Sequence, residues 1–225
     1  WLYAGEASGT VLADRMELPY SVFEALIESA RGEKLIEVRG SAGTGTAAFR
    51  YGLTDLGRER ARQYLDANSY IGPAPVPLAQ YTAAMRVLQK NRGHVTRERL
   101  RAGFGHLVVN PGTLDQLGPA INSGKSVFLY GPPGNGKTVI AEGIGRTLGG
   151  DMYMPHALDV DGQVITLFDP VNHDSLEADE DDRSILASAA RDRRWIRIRR
   201  PVVTVGGELT LDMLDLTFNP ISKFY

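Results

Sequence analysis

One octapeptide constrains this 225-residue chain more than any other feature. Gly131-Pro132-Pro133-Gly134-Asn135-Gly136-Lys137-Thr138 matches G-x-x-x-x-G-K-[ST] at every fixed position. Such a loop joins a strand to a helix, and the flanking sequence suits both. Ser126-Val127-Phe128-Leu129-Tyr130 is a short apolar run fit for a buried strand, while Val139, Ile140, Ile144 and Leu148 recur at helical spacing until Gly149-Gly150. The glycines let backbone N–H groups turn inward around a phosphate chain with no side chain in the way. The helix N-terminus adds the positive end of its dipole. Lys137 would reach the β- and γ-phosphates as a point charge, and the Thr138 hydroxyl would ligate Mg²⁺. The sequence thus assigns Gly131, Pro132, Pro133, Gly134, Asn135, Gly136, Lys137, Thr138 and Val139 to ATP or ADP, Lys137 to catalysis and Thr138 to the metal.

Composition leaves room for this reading. The hydrophobic fraction is 43%, the charged fraction 23% and the net charge -2, as in globular proteins, which excludes disorder, collagen or coiled coil as a description of the whole. The length allows one large domain or two small ones. The absence of cysteine excludes disulfide scaffolds, thiolate zinc sites and a cysteine nucleophile. No apolar run reaches the ~18 residues of a membrane span, so a cytoplasmic protein is the expectation. Trp1 stands where a Met would open a complete protein, which suggests a fragment of a longer polypeptide.

Three prolines at alternate positions in Ile71-Gly72-Pro73-Ala74-Pro75-Val76-Pro77-Leu78 forbid a helix and mark the expected boundary. It divides the chain into residues 1–70, a proline-containing linker and helix over 71–100, and a nucleotide-binding domain over 101–225. Basic residues exceed acidic ones by 7 to 2 over residues 76–125. In the first part, Val22, Phe23, Leu26, Ile27 and Ala30 predict a helix that Gly32 stops. Strands follow at 35–38 and 47–53, around a tip of small residues over 40–45. A further helix begins after Thr54 as N-cap, with Asp55 in its first turn.

This stretch resembles winged-helix domains, particularly through Tyr51-Gly52-Leu53-Thr54-Asp55-Leu56-Gly57-Arg58-Glu59 after the two-stranded wing. The resemblance makes Tyr20 to Arg31 the recognition helix and implies DNA binding. Charge favours a protein-contacting or regulatory role instead, since that helix holds Glu24 and Glu28 against Arg31 alone, and the wing tip has no cation. Nucleic acid stays open as a partner.

The loop variant Gly-Pro-Pro-Gly-x-Gly-Lys-Thr resembles that of AAA+ ATPases over about residues 100–170. That resemblance implies an α/β domain, a P-loop NTPase parallel sheet with flanking helices, here partial and joined to the small α+β winged-helix-like domain. It also implies a homo-oligomeric ring and adenine contacts from the segment Phe104 to Val109, chiefly Leu107 and Val108, although these residues suit a core equally. Tyr153-Met154 and Val164 to Phe168 offer further strands for the sheet. A Walker B strand ending in Asp-Glu is not found: Asp169 is followed by Pro170, and Asp212 and Asp215 lie in a stretch that suits helix or loop. Sensor and arginine-finger residues are not found either. Truncation before Walker B explains this, so the chain is expected to bind nucleotide without turnover, with ATP hydrolysis in the full-length protein. The alternative function is an ATP-responsive DNA-binding transcriptional regulator.

Arg191 to Arg200 is strongly basic around Trp195. As a strand it would place Trp195, Arg197 and Arg199 opposite Ile196 and Ile198, with Val202 to Val205 returning as a hairpin. Such a face could grip a polyanion or a neighbouring subunit, or pair with the chain's own acidic run Glu177 to Asp182. His94, His106, His156 and His173 lack metal-ligand spacing and read as structural or exposed.

Overall fold

A computed structural model describes residues 1–90, 93–105, 107–176 and 192–223. His106, Arg191 and the acidic run Glu177 to Asp182 lie outside them. The described chain is mixed α/β, with small sheets and three hydrophobic clusters.

The first cluster belongs to β1 (Ala7–Ser8), α1 (Gly9–Arg15), α2 (Tyr20–Gly32), β2 (Ile36–Ser41), β3 (Phe49–Leu53) and α3 (Asp55–Ala67), with an antiparallel sheet in the order β1-β3-β2. The predicted helix, the two strands after it and the second helix are all present, and β1 and α1 precede them. Only Phe23 and Ile27 of the predicted α2 stripe are buried; Val22 and Leu26 are exposed. Phe23 and Ile27 share one buried cluster with Leu12, Ile36 and Tyr51, so a narrower stripe suffices. Thr54 caps α3 as expected: its hydroxyl accepts from the Gly57 N–H (3.0 Å) and donates to the Lys34 carbonyl (2.7 Å). This ties the start of α3 to the turn before β2.

The proline-rich string enters a sheet. Its residues Val76–Pro77 form β4, parallel to β6 (Ala157–Val160), which pairs antiparallel with β7 (Gln163–Thr166). Asp161 and Gly162, with φ of 52° and 80°, close that hairpin with the positive backbone angles a two-residue turn requires. Helix α4 (Leu78–Lys90) follows β4 directly. Its Tyr81 stacks on Trp195 (centroids 6.1 Å apart) in the second cluster, with Val76, Tyr153, Leu158 and Ile165.

Two expected features differ. β5 (Asp151–Pro155) runs antiparallel to β8 (Trp195–Arg199), from Asp151 opposite Arg199 to Pro155 opposite Trp195. The expected hairpin from 195 to 205 is therefore not formed. Both edges of β8 are taken, by β5 on one side and by residues 174–176 on the other, where the Arg199 N–H donates to the Asp174 carbonyl and the Leu176 N–H to the Arg197 carbonyl (2.9 Å each). Nor do these strands build a parallel sheet with Ser126 to Tyr130. That run belongs to no strand, and Phe128 and Tyr130 are each 85% exposed, stacked on one another. A strand requires a partner for its N–H and C=O groups, and no described strand pairs with this one.

The third cluster joins α5 (Arg97–Gly103), α6 (Pro111–Asn122) and α7 (Lys137–Leu148). Leu100, Phe104, Leu117 and Ile121 are its buried members, and Leu107, Val109, Leu129 and Ile140 pack against them. Polar bridges join the first unit to the second: the Ala74 N–H donates to the Met16 carbonyl, the Asn68 amide to the Val164 carbonyl (2.8 Å each), and Arg193 pairs with Glu17 (2.6 Å) and Asp14 (3.1 Å).

Candidate nucleotide-binding site

The octapeptide folds as a loop that runs into α7 at Lys137. Gly131, Gly134 and Gly136 have φ of 148°, 82° and 70°, angles that side chains rarely adopt. A methyl group added at any of the three would meet nothing within 4 Å. Glycine is thus required there by backbone direction rather than by crowding. Lys137 reaches back over the loop, its Nζ donating to the carbonyls of Gly131 (3.1 Å) and Pro132 (2.8 Å). Gly136 occupies the N-cap and supplies no side-chain hydrogen bond; the first N–H closed into the helix from there is that of Ile140, to the Gly136 carbonyl (2.9 Å). The N–H groups of the first turn are therefore left to an external acceptor. Cation, uncapped helix start and the exposed Thr138 hydroxyl fit a phosphate chain and its magnesium. Pro132, Pro133, Asn135 and Val139 line the same exposed turn.

The segment expected at the adenine divides. Phe104 is buried in the core, Leu107 and Val109 pack against the same cluster, and Val108 is fully exposed. Leu107 is held by its N–H donating to the Phe104 carbonyl (2.8 Å).

Asp169, the nearest approach to a Walker B aspartate, shapes a turn. Its carboxylate accepts from the Val171 N–H (2.9 Å) and the Asn172 amide, and the first of these, then the second, lowers its pKa. Its own N–H donates to Nδ1 of His173 (3.0 Å). Asp212 and Asp215 lie in and beside an exposed 3-10 turn, Leu211–Leu214. Among the described residues no group of three or more His, Asp or Glu gathers as metal ligands would.

The basic run is largely matched inside the chain. Arg194 pairs with Asp192 (2.7 Å), Arg193 with Glu17, and Arg197 with Asp151 (2.6 Å), a partner that sequence reading missed because the β5–β8 ladder sets it diagonally across from Arg197. On the first unit, Glu24 accepts from Thr46 (2.6 Å) and Glu28 pairs with Arg31 (2.8 Å). Cations of β2 and β3 are paired too, Arg39 with Glu37 and Arg50 with Glu6.

Local sequence similarity points to vesicle-fusion proteins. A stretch of 48 residues is 48% identical to the vesicular-fusion protein sec18 of Schizosaccharomyces pombe, covering 21% of this chain and 6% of that protein. A stretch of 54 residues is 43% identical to the vesicle-fusing ATPase of Dictyostelium discoideum, covering 24% of this chain and 7% of that protein. The similarity thus spans under a tenth of the length of the curated relatives it matches. No protein-family profile and no solved structure matches the chain. None of the described helices is long and apolar enough to cross a membrane.

Proposed function

We propose that this chain is the nucleotide-binding part of a P-loop ATPase of AAA+ type, built from a winged-helix-like domain (1–70), a linker and helix (71–100) and a nucleotide domain (101–225). It takes ATP or ADP with Mg²⁺ at Gly131 to Thr138 and couples that binding to the remodelling of a partner, within a homo-oligomeric ring. The observation that carries this reading is the loop itself: three left-handed glycines, an uncapped helix start and a lysine folded over the loop. The name of the Dictyostelium relative supports the ATPase part.

Each residue has a distinct task. The first-turn N–H groups of α7 bind and orient the phosphate oxygens, and Lys137 exchanges its two carbonyl acceptors for them. Thr138 offers its hydroxyl to the metal. ATP would bring the phosphoanhydride bond that an ATPase hydrolyses, and Mg²⁺ would offset the charge of its phosphates. The paired cations around α2 and the wing suit a protein surface better than a phosphate backbone.

Titration with Mg·ATP tests this. Lys137→Ala should weaken binding about 10- to 100-fold, the range of one charge-assisted hydrogen-bonding group, with the circular dichroism spectrum unchanged. Equal affinity in the variant would refute the assignment. Phosphate release by the chain, lost in Lys137→Ala, would show that it also turns ATP over.

A further inference from the structure

A cleft of about 620 Å³ opens beside the first cluster, and none of its walls comes from the octapeptide. Helices α1, α2 and α3, the 3-10 turn Leu2–Ala4, Ile36 of β2 and Leu53 of β3 line it, and the proline string with Val164 of β7 closes the side toward the second unit. Leu12, Phe23, Ile27 and Ile36 are its buried residues, while Leu26 and Ile71 stand about half exposed at its rim. The wall facing the second unit is fixed by hydrogen bonds. The Asn68 amide donates to the Val164 carbonyl, the Asn68 side-chain oxygen accepts from the Tyr70 N–H, and the Tyr70 hydroxyl donates to the Pro73 carbonyl (2.8 Å each). Burial pushes the Tyr70 hydroxyl up to about 12, so this wall carries no charge at neutral pH. Apolar concavities of this size, ~300–1,000 Å³, are the usual shape of small-molecule sites. Walls on so many sides suit a compact molecule better than the long groove that receives a partner helix.

Charge is confined to the mouth. The Arg15 guanidinium stands 5.2 Å over the ring of Trp1, and that of Arg58 stands 5.8 Å over the ring of Tyr3. Both rings line the cleft and are partly exposed. Among the described residues no Asp, Glu, Lys, Arg or His lines the cleft, and neither of these arginines has an ion-pair partner. An apolar interior below two cations without counter-ions is complementary to an amphiphilic anion.

We propose that this cleft binds a small amphiphilic acid, a carboxylate on a saturated hydrocarbon chain, with the chain among Phe23, Leu26, Leu65 and Ile71 and the carboxylate toward Arg15 and Arg58. Such binding is independent of the nucleotide site. Because Tyr70, Pro75 and Val164 share one wall, the occupant also touches the junction between the first and second units.

Titration calorimetry of the whole chain with octanoate, decanoate and decanol, each below its solubility and micelle limits, tests this. Decanoate should bind about tenfold more tightly than decanol, the effect of a charge-assisted contact. It should bind about fifteenfold more tightly than octanoate, at about fourfold for each methylene removed from water. Arg15→Gln with Arg58→Gln should bring decanoate down to the level of decanol and leave decanol within about twofold. Ala61→Phe, which fills the cleft from α3, should weaken both ten-carbon ligands at least about tenfold. Should it not fold, Leu26→Glu at the half-exposed rim leaves the buried residues in place and should weaken decanoate by a similar factor. Equal binding of acid and alcohol by the wild-type chain, no dependence on chain length, or full affinity in the cleft variants would overturn the proposal. So would a chain that takes neither ligand, including one that instead pairs with a second copy through this face and dissociates in Leu26→Glu.

Discussion

Gly57 shows how one residue can fix a junction between elements. It lies within the first turns of α3, and a Cβ there would fall far inside contact with the Leu35 carbonyl. The same carbonyl receives the Thr54 N–H (3.1 Å), so strand and helix meet backbone to backbone. Gly57→Ala should destabilise the first unit by about 1–3 kcal/mol through overpacking, seen as a lower thermal midpoint. An unchanged midpoint would mean that α3 can shift outward freely. His156 makes a pH-dependent contribution. Burial lowers its pKa, opposed by the charge of Glu17, and its ring stands edge-on to Phe168 at 5.3 Å. A base with a depressed folded pKa favours its neutral form, so its stabilisation is complete above 6.5 and declines as pH falls below that value toward the folded pKa. The urea midpoint should therefore drop between pH 7.5 and 5.5 by more in the wild-type chain than in His156→Gln, where the imidazole cannot charge.

At the scale of elements, the sequence was legible wherever a local signal decided the outcome. Thr54 with Asp55 predicts the start of α3, and the octapeptide predicts a loop that runs into a helix; the structure has both, with positive φ at Gly131, Gly134 and Gly136. The β2–β3 pair was readable because the two strands are neighbours in sequence and close on each other. Strand partners distant in sequence were not readable. Nothing local in Trp195 to Arg199 says that it pairs with Asp151 to Pro155 rather than with the valines that follow. The choice depends on which strand can bury Ile198, and β5 with residues 174–176 leaves it 0% exposed. The proline string likewise reads as a spacer, because proline removes donors. Yet Val76 is wholly buried, and a two-residue edge contact to β6 uses few donors. Ser126 to Tyr130 is the converse case: β propensity is strong and the element is absent, since apolar character alone provides no partner.

For the whole molecule, three small cores stand in place of one continuous interior, and polar bridges join the first to the second. The bridge from Arg193 to Asp14 and Glu17 is partly exposed, and such pairs contribute about 0–1 kcal/mol, less at high salt. The units should therefore respond separately to perturbation. The two tryptophans of the chain stand in different places. Trp195 is enclosed in the second cluster against Tyr81, whereas Trp1 lies at the edge of the first unit, 40% exposed, with the Arg15 guanidinium 5.2 Å over its ring. This gives the molecule two optical probes of unlike polarity. With Trp1→Phe the emission maximum should lie to the blue of that with Trp195→Phe. As the chain is heated, the enclosed indole should shift to the red when the sheet around Val76 opens, even while the outer one still reports an intact contact with Arg15.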